Sequence, residues 1–282
     1  GLAACSGSLT KVQILVDAGA DITFVSPGGY TILINVMYQL HDDEQLVPMI
    51  KLLVAHGAET NGETEYGESP LSVSSYFGRF DAVNALLDAG ADPARLKWTD
   101  LMQAIAFGTI KDVSQLVAVK PSLVARDRWE RTPWLITSVA GDIEKAKLIR
   151  AAGANVEDRE RGGAAAIAIC ASKGHGEMLS WLIETGADIE AVDGAANTPL
   201  MLAAQMGRTE CVRLLLESGA NASRKNEYDE STISMASNEE IVRLLCAAGE
   251  DTSDISTEMK RTITGLNGDD TLSVSKAEYA SG

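Results

Sequence analysis

Cys170 and His175 stand five residues apart, and a thiol beside an imidazole is the pairing in this chain that could do nucleophilic chemistry. The other histidines offer less: His56 precedes a glycine helix stop, and His41 lies in an inserted loop. The four cysteines, Cys5, Cys170, Cys211 and Cys246, show no CxxC spacing. They read as small buried hydrophobes of a reducing, cytoplasmic compartment, ahead of metal binding or disulfides. The sequence holds no P-loop, no HExxH and no nucleophile elbow. Arg161-Gly162-Gly163 reads as a hairpin tip, too short a signal for phosphate binding. No catalytic residue, cofactor or metal is therefore expected.

The elements that carry these residues are short and repeated. In Thr198–Asn221, Thr-Pro-Leu turns into a helix over Leu200–Met206, Gly207 breaks it, and a second helix over Thr209–Glu217 stops at Gly219. Apolar residues three and four apart give each helix one face to bury. Helices of this length do not stand alone in water, so they must stack on copies of themselves. The copies are present. Gly19-Ala20-Asp21, Gly57-Ala58-Glu59, Gly90-Ala91-Asp92, Gly153-Ala154-Asn155, Gly186-Ala187-Asp188 and Gly219-Ala220-Asn221 each close a Leu-rich helix. Gly153, Gly186 and Gly219 are 33 residues apart, and Lys120 extends the series if it stands in for glycine.

These residues and this period closely resemble the ankyrin repeat family. The stretch Arg126–Trp134 resembles bacterial members in particular. The resemblance covers residues 1–251 and implies an all-α fold, a solenoid of about eight helix-turn-helix repeats in which each unit contacts its neighbours. Residues 252–282 are expected to form a capping helix, Asp254–Thr264, and a tail. The family likeness also gives His175 a structural place, in the Gly-His turn between helices, bonded to neighbouring loop backbone.

Several repeats depart from the pattern. Leu2-Ala3-Ala4-Cys5 matches a lipoprotein cleavage box read alone, but in register it ends a first helix, so the chain is expected to start inside a repeat. Gly19 to Gly57 is 38 residues, with the excess expected between the helices around His41–Glu44 as an acidic loop, and Pro48 near the start of the second helix. The fourth repeat is short and ends in Lys120-Pro121-Ser122. The sixth replaces Thr-Pro-Leu by Ala165-Ala166-Ile167. The eighth lacks three residues between its helices, and beyond it Ser275 and Glu278 form a capping-box pattern, suggesting a chain that continues past Gly282.

The net charge of −16 is banded. Residues 21–68 carry −7, residues 227–258 carry −8, and residues 93–161 carry +3. The acidic total disfavours nucleic acid, and no apolar run approaches the roughly 20 residues of a membrane span. A partner with a basic surface is the expectation.

Family members usually contact partners through hairpin tips and the exposed face of the first helix. By that resemblance the contact residues are Glu65, Tyr66, Glu68, Tyr76 and Phe77 in the third repeat, and Trp98 and Phe107 in the fourth. Arg128, Trp129 and Arg131 follow in the fifth, Gln205 and Met206 in the seventh, and Glu227, Tyr228 and Glu230 in the eighth. Seven of the fourteen aromatics fall in this set, and Tyr, Trp and Arg are the types enriched at interface hot spots. Trp134, in place of the buried leucine of Thr-Pro-Leu, and Trp181 are read as core. The expectation is a non-catalytic protein-binding module, monomeric on its own: an inhibitor or immunity protein against a basic toxin or enzyme, or else a scaffold or targeting module of a larger protein.

Overall fold

The computed structural model describes residues 2–40 and 42–250. The capping helix, tail and capping box expected after residue 251, and His41, lie outside the described residues. Eight helix pairs run in chain order: α1 (Leu2–Cys5) and α2 (Leu9–Asp17), α3 (Ile32–Gln39) and α4 (Asp43–Ala55), α5 (Pro70–Tyr76) and α6 (Phe80–Asp88), α7 (Asp100–Phe107) and α8 (Ile110–Ala118). After them come α9 (Pro133–Ala140) and α10 (Ile143–Ala151), α11 (Ala166–Lys173) and α12 (Gly176–Glu184), α13 (Pro199–Gln205) and α14 (Thr209–Glu217), and α15 (Thr232–Met235) and α16 (Glu239–Ala247).

Two compact units form: Gly1–Thr109 with Arg126–Trp129, and Ile110–Ala125 with the residues from Glu130 on. Within the first, α1, α3 and α5 stack in order, as do α2, α4 and α6. Within the second, α9, α11, α13 and α15 form one row and α8, α10, α12, α14 and α16 the other. Each row buries its apolar stripe on its neighbours. Leu33, Leu71 and Leu86 are fully buried in the first unit, and Leu135, Leu200, Leu215 and Leu245 in the second.

Local chemistry sets the repeat. Ser69 opens α5 with a reciprocal capping box: its hydroxyl accepts from the Ser72 amide, and the Ser69 amide donates back to Ser72 Oγ. Thr31, Thr99 and Thr198 cap α3, α7 and α13 through the amide three residues on. At the far end Gly219 takes φ +87°, and the next amide donates to the Leu215 carbonyl. Lys120 holds φ +55° at the equivalent stop of the fourth repeat. It does stand in for glycine there.

The stretched second repeat differs from the expectation. Its extra residues do not make a loop; they lengthen α4 to 13 residues. Asp42 caps it by accepting from the amides of Glu44 and Gln45. The acidic run thus sits at a helix N-terminus, where the dipole favours negative charge. Pro48 lies inside α4, beyond its first turn. It therefore removes one intrahelical hydrogen bond.

The fourth repeat has no β-type hairpin. Its place is taken by a short 3₁₀ turn, Pro93–Arg95, capped by Asp92.

Candidate functional site

Neighbouring repeats are joined at their tips by backbone hydrogen bonds. In the first unit the Glu65 amide donates to the Gly28 carbonyl at 2.9 Å, and the Arg128 amide to the Leu96 carbonyl at 3.0 Å. In the second unit Gly194 donates to Gly162 and Glu227 to Ala195.

The side chains at the tip of the fifth hairpin reach further back. Arg128 Nη2 donates to the carbonyls of Tyr66 and Gly67 at 2.9 and 2.8 Å. The Trp129 indole N–H donates to the Ser72 carbonyl at 2.7 Å. Both spans pass over the fourth repeat, whose 3₁₀ turn leaves the third hairpin within reach.

Around this bridge lies an aromatic run. The Trp129 ring stands 4.8 Å from Tyr76, Tyr76 is 5.3 Å from Phe77, and Phe77 is 5.8 Å from Tyr38. The Arg79 guanidinium sits over Phe77 at 5.1 Å. Tyr38 hydrogen-bonds Glu68, and burial together with that carboxylate pushes its phenol well above the usual range. Tyr66 is 65% exposed, with its hydroxyl on Glu65. Carboxylates and aromatic faces thus share one surface.

A second aromatic group packs Trp98 between Phe80 and Phe107, with centroids 5.9 and 5.6 Å away. Trp98 Nε1 donates to Asp127 Oδ2. Phe107 keeps 37% of its surface exposed.

In the second unit Gln205, Met206, Glu227, Tyr228 and Glu230 are all exposed. Tyr228 bonds Glu227, whereas Glu230 accepts from Asn226 Nδ2 at 2.8 Å and so belongs to its own hairpin.

Arg131 requires correction. It is fully buried and cannot meet a partner. The slot just before the helix cap leans into the stack: Tyr30, Glu68, Trp98 and Asn197 occupy it half-buried. The same register would have found two residues that sequence reasoning missed. Tyr30 shares the slot of Glu68, and Tyr38 shares the slot of Tyr76, each at the same distance from its helix cap.

Trp134 is buried as expected, at 1% exposure; Trp181 is half-exposed, with Arg150 over its ring at 5.7 Å. Trp134 Nε1 has no hydrogen-bond partner. It lines a cavity of about 60 Å³ with Ala165 and Ala166, the residues that replace Thr-Pro in the sixth repeat.

His175 Nε2 lies 2.9 Å from the Val139 carbonyl, and burial lowers its pKa. The ring therefore acts as a neutral donor to backbone, in a structural place. Cys170 and Cys211 are buried and Cys5 and Cys246 half-buried, all as free thiols. Burial pushes Cys211 up to about 11 and Cys170 higher still, so neither is a thiolate near neutral pH. Among the described residues no group of three or more His, Cys, Asp or Glu could hold a metal ion, and no helix is long and apolar enough to cross a membrane.

A family model described as ankyrin repeats (3 copies) matches residues 1–97 and 193–258, and one described as ankyrin repeats (many copies) matches residues 167–216. Among curated proteins the chain is similar to an ankyrin repeat and KH domain-containing protein of Caenorhabditis briggsae, 30% identical over 185 residues. That match covers 64% of this chain and 7% of the relative. It is also similar to a putative ankyrin repeat protein of Acanthamoeba polyphaga mimivirus, 28% identical over 93 residues, covering 32% of this chain and 56% of the relative. The chain thus spans less than two thirds of either relative's length.

Proposed function

The chain belongs to the ankyrin repeat family, a family of protein-interaction modules that are generally non-catalytic, and from that premise we propose that the first unit captures a protein partner with a basic surface. The observation that carries this reading is the pairing of Tyr66 and Glu65. Tyr66 is largely exposed, and among the described residues Glu65 enters no ion pair. An exposed aromatic beside an uncompensated carboxylate suits a lysine- or arginine-bearing surface, because it offers apolar contact and opposite charge together. Glu59 and Glu68 add to the negative field.

Within this reading the chain is a non-catalytic inhibitor, blocking a basic enzyme or toxin by occupying its surface. A second reading, a scaffold or targeting module, is favoured by the Caenorhabditis briggsae relative, a far longer protein whose name joins ankyrin repeats to KH domains.

The test is affinity capture from an extract of the source organism, on the wild-type chain and on a Tyr66→Ala, Glu65→Gln double variant in parallel. The expected result is a basic protein retained by the wild type and lost from the variant. Identical capture by both would overturn the assignment of this face. Whether the captured protein is an enzyme inhibited on addition of the chain separates the inhibitor from the scaffold.

A further inference from the structure

In the fifth and seventh repeats the chain enters the first helix through Thr132-Pro133 and Thr198-Pro199, all of them buried. In the sixth repeat Ala165-Ala166 holds those places, with fewer side-chain atoms at each. The backbone keeps the same path: Ala165 takes φ −83° and ψ 169°, against −81° and 168° at Thr132. It does not close over the missing atoms, and a cavity of about 60 Å³ remains within the second unit.

The inner wall of this cavity is apolar. Ala165, Ala166, Ile167 and Leu182 line it and are buried, as is Trp134. The rim is charged, formed by the exposed Arg150, Glu157 and Asp188. Of the buried lining residues, Trp134 alone has a polar side-chain atom, and that atom, Nε1, has no acceptor. Trp98 and Trp129 do have theirs, in Asp127 and the Ser72 carbonyl. Trp134 stands where the seventh repeat has Leu200, so the fold asks for an apolar residue there and not for a donor.

Water suits such a site poorly, because a buried water needs about two to four polar partners and the inner wall offers one N–H. A wholly apolar ligand would leave that N–H unpaired. We propose that the cavity is a binding site for a small neutral carbonyl compound of the amide class. Its carbonyl oxygen accepts from Trp134 Nε1, and its short alkyl group packs on Ala165, Ala166 and Ile167. Its N–H groups donate to Glu157 or Asp188 at the rim. A carboxylate fits less well, since the rim sets two acids against one base and the apolar wall disfavours a charge. The site lies in the second unit and does not depend on the contact face at Tyr66.

The probes are propionamide, propionate and propylamine, titrated against the amide and indole NMR spectrum of the intact chain. The Trp134 indole N–H, identified by its loss in Trp134→Phe, should move downfield saturably with propionamide, together with the amides of Ala165, Ala166 and Ile167. A dissociation constant on the order of millimolar is expected for so small a ligand. Propionate should bind several-fold more weakly. Propylamine, which has no acceptor for the indole, should give no saturable shift. Trp134→Phe should weaken propionamide about tenfold, read on the amides of Ala166 and Ile167. The double variant Ala165→Thr, Ala166→Pro restores the residues that both flanking repeats carry, so it should fold, fill the space and abolish binding. Absence of a saturable shift at the Trp134 indole would overturn the proposal. So would equal binding of propionamide and propylamine, wild-type affinity in Trp134→Phe, or binding retained by a folded Thr-Pro variant. If the Thr-Pro variant does not fold, Trp134→Phe decides alone.

Discussion

Trp129 donates its indole N–H to the Ser72 carbonyl at 2.7 Å, tying the fifth hairpin to the first turn of α5 across 57 residues. The bond exists because the fourth repeat contributes a 3₁₀ turn instead of a hairpin. Trp129 is therefore first a strut of the first unit; its ring, tilted against Tyr76, is what remains for a partner.

Trp129→Phe keeps a ring for that contact and removes the donor. It should cost about 1 kcal/mol by chemical denaturation, the net value of one hydrogen bond plus its orphaned carbonyl. Trp129→Ala also removes the ring contact and should cost roughly 2–4 kcal/mol. Equal stability of wild type and Trp129→Ala would contradict the strut.

Trp134 is expected to behave differently under the same pair of changes. Its Nε1 is buried and unpartnered, so deleting the donor loses nothing. Trp134→Phe should change stability by less than about 1 kcal/mol in either direction. Trp134→Ala should cost about 3–5 kcal/mol, since it enlarges a cavity that Ala165 and Ala166 already leave open.

His175 sets a pH dependence. Its folded pKa lies below the ordinary 6.5 because burial disfavours the charged ring, so the unfolded chain binds more protons than the folded one as pH falls. The stability it contributes is present above pH 6.5 and is lost as pH drops through the lowered folded value. Wild type should therefore lose more melting temperature than His175→Gln as pH is lowered from above 6.5 through the folded value. A gap between the two proteins that stays constant with pH would show that the ring does not titrate with folding.

The thiols give an independent check on packing. Ellman's reagent near neutral pH should modify Cys5 and Cys246 slowly in the native chain, and Cys170 and Cys211 only after unfolding. Rapid native labelling of Cys170 would mean that the α9–α11–α13 row is not packed as described.

The repeat was legible in sequence because its determinants are local. Thr198 as a cap, Pro199 in the first turn and Gly219 as a stop each act within a few residues, and copies of them phase the whole chain. The departures were legible as departures, but their outcome was not. The residues inserted near Asp42 became helix because Asp42 caps and the acids suit an N-terminus. Arg131 and Trp129 looked alike at a hairpin, yet one is buried and the other braces the first turn of α5 two repeats away. That difference depends on contacts between segments some 60 residues apart, which no local pattern encodes.

The most direct measurement is the binding kinetics of the captured partner on folded variants at two salt concentrations. With wild type, added salt should slow association steeply and change dissociation little, as expected for charge-steered encounter. Glu65→Gln should lower the on-rate. Tyr66→Ala should raise the off-rate about thirtyfold, the equivalent of a 2 kcal/mol anchor. Tyr66→Ala and Glu65→Gln binding with wild-type rates at both salt concentrations would contradict the assignment and place the contact on another surface of the chain.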